Sequence, residues 1–352
     1  MLYKDLMDKL MLGQDLTRAE LERTIAGIMT QELTQVQVLG FQMAFLMKGP
    51  TPQELADYAH AMRANCTSID AASFGPALDI AATGTGERAG RLAPAVALLA
   101  AAPGAPVIKQ VRTSVPGYFG SAGVLAALGI DVAGSEAEAK AQLAAAETAF
   151  LAPRAFHPSL AQTLNDETEA QIRALTQTII GPLMNPAMIS NLLFGVHDRE
   201  TLEILQEAIP EIPGLRALLV QGADGADSIT LDGPADLLRW DGTAWQAQTV
   251  TPAALGLRSC SWTLQKTEKD AETAAQITAL LRGEVHDARR DVLLANVAAA
   301  LWVSGQVECF ADGVCLAATR LDRGDGARRL EALQALLPAK ISFCLWVLAN
   351  LI

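Results

Sequence analysis

The chain has 352 residues, 51% of them hydrophobic and 19% charged, with a formal net charge of −12. That is enough apolar chain for a sizeable core, in two domains more naturally than one, and it excludes a disordered chain. The acidic balance disfavours nucleic acid as a partner, because phosphate binding usually leaves a basic footprint.

Five cysteines, Cys66, Cys260, Cys309, Cys315 and Cys344, follow neither a disulfide nor a zinc spacing. Lys4, Asp5 and Asp8 interrupt the first turns, which is not the pattern of a signal peptide, so a cytoplasmic location is expected.

Residues up to about Thr67 read as consecutive helices. Thr17-Arg18-Ala19-Glu20 has the form of a capping box, and a second start lies near Thr34 with a stop at Lys48-Gly49-Pro50. Thr51-Pro52-Gln53-Glu54 is a third start, with Pro at the first helical position. Val36, Leu39, Phe41, Phe45 and Leu46 are too many apolar residues for one helix face. They are expected to be mostly core, with a subunit interface as the other way to bury them.

Asp70 to Pro76 reads as a linker. Beyond it, short apolar runs alternate with helical stretches: strands at Ala77–Ala81, Pro106–Lys109, Ala149–Leu151, Ile189–Val196 and Leu215–Val220, and helices at Leu92–Ala102, Ser135–Ala146 and Glu200–Ala208. Such alternation argues a parallel sheet covered on both faces. Asp227–Leu231 and Leu238–Val250 read as short strands, the latter turning at Asp241-Gly242, and the last third reads as helices. Ile341 to Ile352 carries only Ser342 and Asn350 as polar residues and is too short to cross a bilayer as a helix. It is expected to dock on the core or on a second subunit.

In an open α/β sheet ligands sit outside the carboxyl ends of the strands, so the stretch from Leu78 to Gly129 is where a site is expected. Within it run Asp79-Ile80-Ala81-Ala82-Thr83-Gly84-Thr85-Gly86, then Lys109, then Gly120-Ser121-Ala122-Gly123-Val124-Leu125. With Phe150-Leu151-Ala152-Pro153, His157-Pro158, Gly181-Pro182-Leu183-Met184-Asn185-Pro186 and Gly222-Ala223-Asp224-Gly225-Ala226-Asp227, these blocks resemble the anthranilate phosphoribosyltransferase family, glycosyl transferase family 3, in the family's own order.

The resemblance implies a small all-helical N-terminal domain (residues 1–68), joined in space by a helix from about 166–190. It also implies a larger α/β domain (76–338) with a mostly parallel central sheet flanked by helices, of the nucleoside phosphorylase/phosphoribosyltransferase kind, and leaves an apolar tail (339–352). A homodimer through the helical domain is implied as well. The family's reaction, a step of tryptophan biosynthesis, displaces pyrophosphate from phosphoribosyl pyrophosphate with the amine of anthranilate, assisted by Mg²⁺. Carried over residue by residue, Thr83, Gly84, Lys109, Arg112, Ser114, Ser121, His157 and Arg173 become candidates for phosphate and substrate binding, and Asp227 with Asp224 for the metal.

The motifs also depart from the family. The Gly-Thr-Gly-Gly-Asp turn reads Ala82-Thr83-Gly84-Thr85-Gly86, and Asn-Ile-Ser-Thr at a helix start reads Leu92-Ala93-Pro94-Ala95, where Pro94 removes an N–H from an anion site. His-Gly-Asn-Arg after Lys109 reads Gln110-Val111-Arg112-Thr113. An acid after Gly-Ser-Ala is Gly123, the metal pair Asp-Glu is Asp227-Ser228, and an acceptor arginine falls near Glu167. Two readings stay open. One is a divergent pentosyl or phosphoribosyl transferase with altered substrates, binding phosphoribosyl pyrophosphate or another phosphorylated small molecule. The other is a non-catalytic family member, a pseudoenzyme, that binds a nucleotide, nucleic acid or protein.

Overall fold

The computed structural model describes residues 3–84, 92–112, 120–157, 178–259 and 269–336. Helix α1 (Tyr3–Met11) is followed by α2 (Arg18–Met29), α3 (Gln35–Lys48) and α4 (Pro52–Ala64), and each of the last three begins with a complete capping box. Thr17, Thr34 and Thr51 accept from the backbone N–H three residues on, while Glu20, Gln37 and Glu54 reach back to the cap N–H. Each cap satisfies two donors that a helix start would otherwise leave open. Phe41, Phe45 and Tyr58 then form a ring cluster with centroids 5.7–6.4 Å apart, joined by Ile180, Met184 and Ala208 from later in the chain.

The expectation that the apolar residues of α3 are mostly core holds for all but one of them. Phe41 and Phe45 are fully buried and Leu39 and Leu46 half-buried, but Val36 is 74% exposed. The helix turns the Val38–Phe41–Phe45 side inward, so Val36 and Met47 fall on the outer side, with Met11 and Leu12 also exposed.

After a 3-10 turn at Ala72–Phe74 comes the α/β region: β1 (Leu78–Ala82), α5 (Ala93–Ala100), β2 (Val107–Gln110), α6 (Ala122–Ala127), α7 (Glu136–Ala146), β3 (Thr148–Leu151) and α8 (Pro153–Phe156). It continues through β4 (Asn191–Gly195), α9 (Arg199–Ala208), β5 (Arg216–Gln221), β6 (Ala235–Trp240) and β7 (Trp245–Val250). Four helices follow: α10 (Asp270–Leu281), α11 (Ala288–Val303), α12 (Phe310–Asp322) and α13 (Asp325–Gln334). Among the described residues the strands make one sheet in the order β3-β2-β1-β4-β5-β6-β7, parallel from β3 to β5 and antiparallel beyond.

Alternation along the strands divides two cores. Leu78, Ile80, Val107, Leu218 and Val220 pack under α5 and α10 to α13, whereas Ile108, Leu151, Leu192, Phe194 and Leu219 pack under α7 and α9. Side chains of this size each contribute about 1.5–3 kcal/mol when fully buried, so both faces are strongly specified. β4, Asn-Leu-Leu-Phe-Gly, is buried along its whole length, as a central parallel strand must be. No described helix is long and apolar enough to cross a membrane. The tail (339–352) lies outside the described residues.

One expected strand does not form. Residues 227–231 run as bends and irregular chain after the 3-10 turn at Ala223–Gly225. The reason lies in α11, where Asn296 Oδ1 accepts from Ile229 N at 3.1 Å and its Nδ2 donates to Ile229 O at 2.9 Å. The groups that a strand ladder would use are thus held by a side chain instead.

Candidate active site

Strand order reverses beside β1, since β2 and β3 lie on one side of it and β4 and β5 on the other. At such a switch point the loops after neighbouring strands part and open a crevice. Here Thr83 N donates to Gly195 O at 2.9 Å, prolonging the β1–β4 ladder by one bond before the chain turns at Gly84, whose φ is 73°. A left-handed residue at that turn favours glycine.

Asp227 reaches this turn from the loop after β5. Its Oδ2 accepts from Gly84 N at 2.7 Å and from Thr83 Oγ1 at 3.2 Å, and both side chains are buried. Burial pushes the Asp227 carboxyl up from its ordinary range, opposed by the two bonds and by the Arg112 charge. Gly195 is what lets the loop come so close: a Cβ there would lie 1.8 Å from Asp227 O.

The two candidate cations are turned inward. Lys109, 7% exposed, donates through Nζ to Ile80 O, and burial lowers its pKa to about 8 against the pull of Asp79. Arg112 donates to Ala82 O at 2.7 Å, to Thr83 O at 3.3 Å and to Thr178 Oγ1 at 3.2 Å. Lys109 therefore braces the middle of β1, and Arg112 braces the turn that ends it.

Sequence reasoning did not single out three residues that line the same cleft or support it. Asp79 is 1% exposed; its Oδ2 accepts from Asn185 Nδ2 at 2.8 Å, and Asn185 also donates to Ile108 O at 2.9 Å. Burial raises the Asp79 carboxyl, with Lys109 opposing. Gln110 Nε2 donates to Gly181 O at 2.8 Å. An acid inside the apolar run Ala77–Ala81 was the signal available for Asp79, because a charge placed in a core strand needs partners.

Among the described residues, Asp79, Gly84, Lys109, Gln110, Arg112 and Asp227 line a cleft of about 850 Å³, its open mouth included, together with apolar side chains that include Ala81, Ala93, Pro94, Pro153, Pro182 and Met184. Ser121 lines it too, at 8% exposure. Although Ser121 precedes α6, its side chain makes no cap bond. Position 123, where an acid was expected by resemblance, is filled from elsewhere: a Cβ on Gly123 would lie 1.8 Å from Asp270 Oδ2, so the carboxylate of α10 occupies that space.

His157 is fully buried and does not line the cleft. Neither ring nitrogen finds a hydrogen bond of ordinary geometry, and burial pushes the imidazole down to about 4, with the Met184 backbone opposing. Its folded pKa lies below the ordinary 6.5, so the unfolded chain takes the proton first and stability is lost as pH falls through that window. The expected loss between pH 6.5 and 4 is about 3 kcal/mol at most, at ~1.4 kcal/mol per pKa unit. Urea melts of the wild type and His157→Gln across that range check this, and parallel pH profiles would refute it.

Ser114 and Arg173 lie outside the described residues, as does the Asp224 side chain. The structure thus brings together Thr83, Gly84, Lys109, Arg112, Ser121 and Asp227 at one cleft and leaves His157 behind its wall.

Known proteins agree with this architecture. Residues 74–327 match the α/β domain of a glycosyl transferase family, and residues 4–66 match that family's helical bundle domain. The anthranilate phosphoribosyltransferase of Methylocella silvestris is 34% identical over 342 residues, covering 96% of this chain and 97% of its own. That of Natronomonas pharaonis is 31% identical over 336 residues, covering 95% and 100%.

Among solved structures, the anthranilate phosphoribosyltransferase of Thermus thermophilus superposes with a TM-score of 0.82 at 29% identity, covering 94% of this chain and 98% of that one. The Saccharomyces cerevisiae enzyme, solved with phosphoribosyl pyrophosphate and magnesium, gives 0.80 at 19% identity over 95% and 97%, a likeness of fold alone. With both domains matched in order and relatives aligned over nearly their full length, the chain belongs to the glycosyl transferase family of the anthranilate phosphoribosyltransferases.

Proposed function

We propose that the chain is a divergent pentosyltransferase of this family, holding a pentose-bearing ligand in the β1–β4 cleft, and that phosphoribosyl pyrophosphate with anthranilate is not the pair it turns over. The observation that carries this reading is the Asp227 carboxylate seated on Gly84 N and Thr83 Oγ1, two donors of the kind a phosphate would need. The first turn of α5 adds to it, because Leu92 makes no side-chain cap bond and Pro94 has no N–H to offer an anion.

Magnesium fits these residues poorly. Asp227 Oδ1 is buried without a hydrogen-bond partner and could serve as a ligand atom, but the next residue is Ser228. The described residues contain no group of three acidic, His or Cys side chains able to hold a metal. Mg²⁺ usually takes one or two carboxylates plus substrate phosphates, so it would depend on oxygens brought by a ligand.

The experiment is a turnover assay with millimolar anthranilate, phosphoribosyl pyrophosphate and Mg²⁺, following the loss of anthranilate fluorescence. The expected result is no consumption above that of the heat-denatured chain; steady turnover would sink the altered-substrate reading. A non-catalytic binding role is favoured by one observation, that His157 is walled off from the cleft and so cannot reach a ligand as a base. Proton NMR of a bound pentoside over hours separates the two, since only a transferase breaks the bond to the sugar.

A further inference from the structure

The two edges of the sheet are finished differently. On β3 the groups that point away from β2 are used: Phe150 N donates to Gln142 Oε1 at 2.9 Å, and Phe150 O accepts from Ala133 N at 2.7 Å. All four residues of β3 are buried. β7 has no such cover. Among the described residues it pairs only with β6, and Gln246, Ala247, Gln248 and Thr249 are all exposed. The hydrogen bond from Asp241 N to Ala244 O sets the phase of the hairpin. Gln246, Gln248 and Val250 therefore bond to β6, while Trp245, Ala247 and Thr249 turn their N–H and C=O groups to the open side.

Proteins usually blunt an open edge with a charge, a proline or a bulge. Trp-Gln-Ala-Gln-Thr-Val has none of these, and its one-to-one register with β6 runs unbroken from Trp245 to Val250. The strand is also held in place before anything meets it. Trp240 and Trp245 pack with centroids 5.5 Å apart on one face, and the Arg239 guanidinium lies 4.8 Å over the Trp302 ring on the other. Such an edge loses little freedom on pairing.

We infer that β7 is a docking edge for the β7 of a second copy of this chain, antiparallel about a two-fold axis at Ala247, so that two seven-stranded sheets become one. The register that uses all three open residues puts Ala247 against Ala247 and Trp245 against Thr249. Gln246 then faces Gln248 twice, each amide offering a donor and an acceptor to the other. The smallest side chain lies on the axis and no charge opposes its like, which matters between chains of net charge −12. This self-complementarity favours a second copy over a strand of another protein. So few residues a side fall well below the roughly 20–30 of a standard interface, so the pairing is weak and depends on concentration. β7 lies four strands from β1, and the contact stands apart from whatever the cleft binds.

Sedimentation velocity of the intact chain, from low to high micromolar concentration, tests the inference. The mass present at the lowest concentration is expected to double. Ala247→Pro removes an N–H on the open side and none that bonds to β6, and is expected to weaken the doubling at least about tenfold through the two hydrogen bonds of the axis pair. Ala247→Lys sets two ammonium groups against each other and is expected to weaken it about fivefold or more, with the backbone untouched. Ala247→Val is expected to keep it, and circular dichroism checks that each variant folds. A wild-type mass that does not change with concentration overturns the inference. A doubling that survives both Ala247→Lys and Ala247→Pro overturns it too, because the copies then meet elsewhere.

Discussion

Replacing Gly195 with alanine is expected to cost the fold ~3 kcal/mol or more and to abolish ligand binding in the cleft. The added Cβ would sit 1.8 Å from Asp227 O and 2.6 Å from its carbonyl carbon, both backbone atoms that cannot rotate away. Gly195 itself cannot retreat, because it pairs with Ala82 on one side and Val220 on the other in the middle of the sheet. The loop must therefore yield. Its own freedom is small, since Asn296 holds Ile229 by two hydrogen bonds and a Cβ on Gly222 would lie 2.1 Å from Ser228 O. Moving the loop withdraws Asp227 from Thr83 and Gly84 and undoes the turn that ends β1. Urea denaturation gives the stability loss, and a variant that melts like wild type would show that the loop is not packed as tightly as its contacts require.

The second large effect is expected in the helical region, where Glu54→Ala should cost about 3–5 kcal/mol, the usual result of breaking a buried ion pair from one side. Lys48 and Glu54 side chains are 3% and 2% exposed, with Nζ and Oε2 2.7 Å apart. Glu54 also accepts from Leu16 N and Thr51 N, both at 2.8 Å, so its loss strands a buried ammonium and two backbone donors together. Asp15, 2.7 Å from Lys48 Nζ, is 64% exposed and can compensate only weakly, because water screens it. Lys48→Met with Glu54→Leu should cost clearly less than Glu54→Ala alone, since no buried charge is then left without a partner and the exposed Asp15 is solvated. Equal losses for the single and double replacements, measured by urea denaturation, would contradict this.

What the sequence made legible was local. Capping boxes at Thr17, Thr34 and Thr51 depend on residues three apart, so the helices of the first region follow from short motifs. The parallel strands β1 to β5 could be read because buried strands are continuous apolar runs of a few residues between helices. The irregular path of residues 227–231 could not, because it is imposed by Asn296, far along the chain.

The site divides the same way. Thr83, Gly84, Lys109, Ser121 and Asp227 were carried by short motifs and do meet at one cleft. Less legible was what the side chains there are already doing. Lys109 and Arg112 read as charges offered to a ligand, yet both are turned onto backbone carbonyls. The Asp79–Asn185 bond spans 106 residues, and Asp270 against Gly123 joins two helices that are distant in sequence. His157, adjacent to Pro158, carried no local sign that packing would seal it from the cleft.

The central claim is that this cleft keeps the family's scaffold while an internal carboxylate holds the place of the phosphate. Calorimetric titration of phosphoribosyl pyrophosphate with Mg²⁺ into the intact chain tests it most directly. The expected result is no saturable heat up to millimolar ligand, with or without the metal. Saturable binding at micromolar ligand that requires Mg²⁺ would contradict it, because the pyrophosphate would then need the Gly84 N and Thr83 Oγ1 donors that Asp227 Oδ2 holds.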